Sequence, residues 1–292
     1  MKLCQALLAV CVCAVLPLHA ADLSDLIYTT TDVNVTITDC KTAASGELVI
    51  PDTIEGKPVT SIGGAAFSYS KSLTSITIPD SVNTIGERAF SDCRSLTSIT
   101  IPDSVTSIGR KAFSYCTNLT TITIPDSVTS IGSGDFYGCT SLTSITIPNS
   151  VTSIEFNAFL RCTNLTSITI PDSVTSIRLG AFGDCASLTA VTFLGDAPKE
   201  GKDVFKDSVP TIYRKPEAKG WGDTFAGRPV KLISSEALVD SIQRKVELAQ
   251  FVSALSLIDS FLLKYPDDPK VDEVKTLRAR INKFQQLEDF SE

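Results

Sequence analysis

A unit of 23 residues recurs along the middle of this chain, and no other sequence feature constrains the fold as strongly. One copy, SLTSITIPDSVNTIGERAFSDCR, occupies residues 72–94, and four more follow at the same spacing, beginning at Ser95, Asn118, Ser141 and Asn164. A degenerate copy begins at Leu48 and a broken one at Ser187. Because so short a unit can bury its apolar face only against its neighbours, the repeat predicts a stacked array with atypical ends.

Within one copy, alternation of apolar and hydroxyl residues predicts a short parallel strand. Ile76 and Ile78 alternate with Ser75 and Thr77, and Pro79 then ends the strand, because proline cannot donate to a central ladder. The remaining apolar side chains of the copy are expected to point into the core; they are Val82, Ile85, Ala89, Phe90 and Cys93. We therefore predict an α/β repeat solenoid, a leucine-rich-repeat-type β-solenoid of about six to seven 23-residue coils stacked at ~4.8 Å.

The repeat resembles one family closely. The run ITIPDSVTSIG, at 99–109 and again at 122–132, and the recurring A-F-x-x-C are similar to the BspA-like leucine-rich repeats of bacterial and some protist surface proteins. The opening segment LVIPDTIEGKPVTSIGGAAF and the closing segment from Gly195 resemble the usual ends of such arrays. The resemblance implies an adhesion or host-contact protein and brings no catalytic residue with it.

The domain organisation follows from the repeat limits and from changes in composition. We expect a signal peptide at 1–20, an N-terminal β cap at 21–47, BspA-like repeats at 48–194, a broken terminal repeat or cap at 195–233, and a helical segment at 234–292. In that last segment proline and glycine nearly vanish and apolar residues fall at helical spacing. It predicts an α-helical hairpin, whose alternative roles are to cap the solenoid, to dimerise or to dock a partner. The spacing does not decide whether residues 235–265 form one helix or two.

The N-terminus predicts export. Lys2 precedes an apolar run from Ala6 to Val15, Pro17 breaks the run, and small residues follow at Ala20 and Ala21. The run is short for a bilayer span, which needs ~20 apolar residues, although an uncleaved anchor stays open as the alternative. We expect a secreted or extracytoplasmic protein, in the periplasm or at the cell surface, without an integral membrane segment in its mature chain.

Charge and composition exclude several functions. The chain has 26 Lys and Arg against 33 Asp and Glu, and no basic block, so nucleic acid is not an expected partner. Its single histidine, His19, lies in the predicted signal, so the mature chain lacks an imidazole for catalysis or metal binding. We predict a non-enzymatic protein without a cofactor or a metal site.

Five cysteines occupy one repeat position. Stacking brings neighbours within reach of a disulfide, but beside phenylalanine each cysteine also fits as a small buried hydrophobe. We predict a column of buried thiols, with disulfides as the alternative; it consists of Cys93, Cys116, Cys139, Cys162 and Cys185.

Two surfaces of the predicted solenoid differ in how much they vary between copies. The first, here called the hydroxyl ribbon, is nearly constant and comprises Ser75, Thr77, Ser98, Thr100, Thr121, Thr123, Ser144, Thr146, Ser167 and Thr169. The second, here called the variable stripe, comprises the pairs after the glycine turn (87–88, 110–111, 133–134, 155–156 and 178–179) and before the cysteine (91–92, 114–115, 137–138, 160–161 and 183–184).

The variable stripe carries the candidate partner-binding residues, because large aromatic residues and arginine anchor interfaces. They are Arg110, Lys111, Tyr115, Tyr137, Phe156, Arg161 and Arg178. We expect an interaction module for an extracellular or surface protein or glycan. The alternatives are neutral drift on a tolerant surface, and a structural scaffold whose helical hairpin recruits a partner or dimerises.

Overall fold

The computed structural model describes residues 21–247, 251–266 and 268–288, so the predicted signal peptide lies outside the described residues. A short 3-10 turn, Leu23–Asp25, precedes the first strand. The strands are β1 (Leu26–Thr30), β2 (Val35–Cys40), β3 (Gly46–Val49), β4 (Thr53–Ile54), β5 (Lys57–Ile62), β6 (Leu73–Thr77), β7 (Thr84–Ile85), β8 (Ser98–Thr100), β9 (Ser107–Ile108), β10 (Ser130–Ile131), β11 (Ser153–Ile154), β12 (Ser167–Ile170), β13 (Ser176–Ile177), β14 (Ala190–Phe193), β15 (Lys199–Glu200), β16 (Thr211–Arg214), β17 (Thr224–Phe225) and β18 (Arg228–Leu232). The helices are α1 (Ser235–Glu247), α2 (Phe251–Lys264) and α3 (Val271–Glu288).

The strands form two parallel ribbons on different sides of a stack of coils. One ribbon begins with β3, β6 and β8, continues through bridges from Thr100 to Thr123 and Thr146, and ends with β12, β14, β16 and β18. The other contains β2, β5, β7 and β9, then β10, β11, β13 and β15. Partners lie 23 residues apart, as in Ile76 with Ile99, which confirms the predicted solenoid. It has about eight turns, because the atypical end segments also close coils.

The core of the solenoid is a column of phenylalanine rings. Consecutive rings stack nearly parallel, with centroids 5.2–5.8 Å apart. Their position recurs every 23 residues, at Phe67, Phe90, Phe113, Phe136, Phe159, Phe182 and Phe205. Aliphatic side chains from both ribbons close around this column, so the coils share one continuous core rather than separate small ones.

The column of buried thiols is confirmed. Each cysteine is buried, and its thiol donates to the carbonyl of the phenylalanine 26 residues earlier; Cys116 Sγ, for example, lies 3.1 Å from Phe90 O. Burial raises the pKa of Cys93 and of Cys185 to about 12. At the next position along the column Ser208 donates the same hydrogen bond, to Phe182 O at 2.7 Å.

The helical segment contains three helices rather than a simple hairpin. The region that the sequence left open contains two helices, α1 and α2, which pack against each other, and α3 packs against both. The apolar core of the helices reaches the solenoid at Leu194 and Tyr213, and the Tyr265 hydroxyl donates to Ile233 O at 3.0 Å. The helices therefore cover the last coils. In the described part of the chain, no helix combines the length and the apolar character needed to cross a membrane.

Candidate functional site

A third backbone ladder holds the variable stripe in place. The amides of Lys111 and Tyr115 donate to the carbonyls of Ser133 and Tyr137 in the next coil, at 3.0 and 2.7 Å. The Phe113 amide between them donates to Asp135 O at 3.0 Å. Ala112, Phe113 and Ser114 are buried in the core, while Lys111 and Tyr115 on either side present their side chains to solvent at the spacing of the coils.

Left-handed backbone conformations set the shape of the stripe. Lys111 and Tyr115 both have a φ of 59°, and the matching positions one coil later are Gly134 and Gly138, with φ values of 68° and 72°. A Cβ on Gly138 would lie 2.8 Å from the Tyr115 ring, and one on Gly134 would lie 3.1 Å from Lys111 Cγ. The Tyr115 ring thus occupies the space above Gly138, whereas the missing side chain of Gly134 leaves a recess between the coils on either side.

The recess is an open pocket of about 420 Å³. The rings of Tyr115 and Tyr137 meet edge to face, with centroids 4.9 Å apart, and Phe156 at the rim is 49% exposed. A hydrogen bond to Tyr137 raises the pKa of Tyr115 above its ordinary value. The side chains that surround the recess include Arg110, Lys111, Tyr115, Tyr137, Phe156 and Asn157.

Five of the seven predicted binding residues thus come together. The other two lie outside the pocket and are already paired: Arg161 Nε is 3.3 Å from Asp184, and Arg178 Nε is 3.9 Å from Glu155. By contrast, Arg110 forms no ion pair or side-chain hydrogen bond within the described residues, and the same holds for Lys111. The pocket therefore holds two unneutralised cations on a chain whose net charge is −7.

One detail of the predicted stripe is wrong. Glu155 and Arg178 do not follow the glycine turn; they occupy its glycine position, because the Glu155 amide bonds to Ile131 O as the Gly109 amide bonds to Ile85 O. Phe156 is consequently the counterpart of Arg110, and Asn157 that of Lys111. This shift can be seen in the sequence, because the Ile-Gly of other copies is replaced by Ile-Glu at 154–155 and by Ile-Arg at 177–178.

Sequence reasoning missed a buried acid beneath the stripe. Asp135 replaces the alanine found at the same position of the neighbouring coils, Ala112 and Ala158, and is 2% exposed. Its Oδ2 accepts from the Gly132 amide at 2.7 Å, whereas its buried Oδ1 has no partner among the described residues. Burial raises the pKa of this carboxyl to about 7, although the hydrogen bond from the Gly132 amide opposes the shift. The D-F in place of A-F was the available signal.

Asp135 also interrupts the second ribbon. In other coils the amide at the position of Gly132 donates to the preceding coil, as Gly109 N does to Ile85 O at 2.8 Å. Here that amide is bound to the Asp135 side chain, and β9 does not pair with β10. The phenylalanine rings are also farthest apart at this junction, 5.8 Å between Phe113 and Phe136. We call this junction the seam, and the pocket spans it.

The hydroxyl ribbon is partly covered, which the sequence did not predict. Helix α1 lies along it, and Arg244 donates to Ser167 Oγ at 3.2 Å. A cavity of about 270 Å³ remains between the helix and the ribbon. Burial lowers the pKa of Lys245, which lies beside it. The hydroxyls of β12 are therefore not a free flat surface. Within the described ranges, no cluster of three or more acids, cysteines or histidines is arranged to hold a metal ion.

The repeat geometry agrees with a known family. A family model described as the BspA type leucine rich repeat region matches six copies, over residues 47–141 and 83–212, more than half of the chain. The chain belongs to the BspA-type leucine-rich repeat family. Membership confirms the resemblance stated above and indicates a protein-interaction module.

Solved structures agree with this assignment. The crystal structure of a leucine-rich repeat protein of T. pallidum is 32% identical, covers 64% of this chain and 88% of its own, and has a TM-score of 0.59. A leucine-rich repeat protein from Eubacterium ventriosum is 27% identical and covers 67% of this chain, with a TM-score of 0.55. The match spans 53% of that second protein. A search of the curated proteins finds no match.

Proposed function

We propose that this chain is a non-enzymatic, extracytoplasmic interaction module that recognises its partner through the variable stripe. One observation carries the proposal: five of the seven predicted binding residues on the variable stripe line a single pocket. A tolerant surface under neutral drift has no reason to gather three aromatic rings and two unpaired cations at one place.

The proposed location follows from the N-terminal pattern at 1–20 and from the bacterial repeat family. Cell fractionation together with N-terminal sequencing of the mature protein tests it. We expect the protein outside the cytoplasm, with Ala21 at its N-terminus. Recovery from the cytoplasm with Met1 intact would remove the basis of the extracytoplasmic assignment.

A paired comparison tests the stripe. We expect Tyr137→Ala with Phe156→Ala to weaken binding to immobilised host-surface proteins and glycans at least tenfold, because truncating an interface aromatic costs about 2 kcal/mol or more. The melting temperature should change little, since both side chains are partly exposed. The matched control is Thr100→Val with Thr123→Val, on the hydroxyl ribbon away from α1. Loss of binding in the ribbon control, with retention in the stripe variant, contradicts the proposal.

The alternative role, a scaffold that recruits a partner through the helices, has less support. Helices α1 to α3 bury their apolar faces against each other and against Leu194 and Tyr213 of the last coils. A cap on an exposed solenoid end needs this arrangement, because an uncovered terminal coil leaves apolar core and strand edges open to water.

A further inference from the structure

We infer that the pocket between Arg110 and Phe156 binds an acidic sugar, a hexose ring that carries a carboxylate. This inference rests on the proposed function and specifies its ligand class. The pocket joins the two requirements of such a ligand: cations for the carboxylate, and aromatic surface for the ring.

The charge of the ligand follows from which cations are free. Elsewhere on the stripe arginine is matched by a neighbouring acid, as in the pairs Arg161 with Asp184 and Arg178 with Glu155. Among the stripe cations, Arg110 and Lys111 have no such partner within the described residues, and both line the pocket. The pocket therefore offers two positive charges, which suit one or two carboxylates rather than a long polyanion. A guanidinium and an ammonium together can hold a carboxylate through charge-assisted hydrogen bonds.

The ring of the ligand follows from the aromatic groups. Tyr115, Tyr137 and Phe156 come from three consecutive coils. The centroids of the core phenylalanine rings in these coils are 5.8 and 5.3 Å apart. The faces of such rings are electron-rich and attract the weakly positive C–H groups of a saccharide. Asn157 and Ser133 add amide and hydroxyl groups at the edge of the same recess, and these can bind sugar hydroxyls.

A peptide ligand is less well matched, because the pocket offers it no main chain to pair with. The amides of Lys111, Tyr115, Gly134 and Gly138 all donate within the ladder to the next coil. An extended peptide that adds to a sheet edge needs free amides of this kind. Recognition here must therefore run through side chains, in a recess of about 420 Å³, within the range of small-ligand pockets.

Isothermal titration of the full chain with three probes tests the inference. The probes are an oligogalacturonate of four residues, the same oligomer with its carboxylates methyl-esterified, and a tetraglutamate peptide. We expect the oligogalacturonate to bind at least tenfold more tightly than its ester, and more weakly as salt rises. Tighter binding of the peptide than of the sugar overturns the assignment to carbohydrate.

Variants locate the binding. Arg110→Ala and Lys111→Ala should each weaken oligogalacturonate binding about tenfold, and Gly134→Asn should abolish it by filling the recess. Asparagine tolerates the left-handed conformation there, as Asn157 does one coil later with a φ of 56°. The matched control, Arg178→Ala, removes a stripe cation outside the pocket and should leave binding unchanged. Equal losses in Arg178→Ala and Lys111→Ala contradict the site. If no sugar binds while the stripe variants still lose their macromolecular partner, the ligand class is wrong and the proposed function stands.

Discussion

Replacing Asp135 by alanine is expected to stabilise the protein at pH 8 and to leave its stability nearly unchanged at pH 4. Burial raises the pKa of this carboxyl from 3.8 to about 7. Since a tenfold change in proton affinity is about 1.4 kcal/mol, the folded state carries a penalty of about 4 kcal/mol once the group is ionised. Asp135→Ala removes that penalty and restores the alanine of the adjacent coils.

The pH dependence has a definite sign. The folded pKa lies above the unfolded one, so between pH 4 and 7 the unfolded chain has lost a proton that the folded chain still holds. The free energy of unfolding contributed by this group therefore falls as pH rises through that window and is constant above it. Below pH 4 both states are protonated, and the advantage of the alanine variant disappears.

The hydrogen bond to Gly132 is a smaller effect. Its loss costs about 1 kcal/mol, but in the variant the Gly132 amide becomes available to Ile108 O, as in the other coils. We therefore expect a net gain of about 3–4 kcal/mol at pH 8.

Urea denaturation of both proteins at pH 4 and pH 8 measures this, because the difference between them cancels every other titrating group. Asp135→Asn is the matched control: it removes the charge and keeps an acceptor for Gly132. Amide exchange at Gly132 should slow in the alanine variant if the ladder closes. Equal stability differences at the two pH values, or a less stable variant at pH 8, would refute the reasoning.

Three further outcomes follow from the packing. Phe113→Ala should cost about 2–5 kcal/mol of unfolding free energy and lower protection from amide exchange in both adjoining coils, measured by mass spectrometry, because the ring stacks on two others; an effect confined to one coil contradicts the continuous core. The five column cysteines should resist a thiol reagent at pH 8 until guanidinium is added, since burial keeps them protonated; rapid native labelling counts against this. Removing residues 234–292 should lower the melting temperature yet preserve stripe binding, and loss of that binding would favour the scaffold role.

The fold was predictable because every copy of the repeat places apolar residues at the same positions and therefore packs in the same way. Ile76 and Phe90 occupy fixed places in every copy, and a side chain that recurs every 23 residues in a stack can only meet its own counterparts. The thiol column followed from the same logic. The helical segment was less determined, since helical spacing predicts an apolar face without saying what covers it.

The site was predictable only in part. Variation between copies selected Arg110, Lys111 and Phe156, but not the recess, which depends on the missing side chain at Gly134. Arg161 is a cation of the kind that binds partners, but it is already paired with Asp184, which lies one coil away at the same repeat position. Such pairs become visible only when the coils are stacked in register.

The seam gives this array a mechanical weak point. A stack of coils that bears load along its length parts where the fewest bonds join neighbours. On the second ribbon that place is the junction between Ile108 and Ile131, where the ladder is interrupted. A ligand that touches Lys111 on one side and Phe156 on the other spans the same junction. Occupancy of the pocket would then join the coils across this junction, so that the ligand-bound array separates there less readily than the free one.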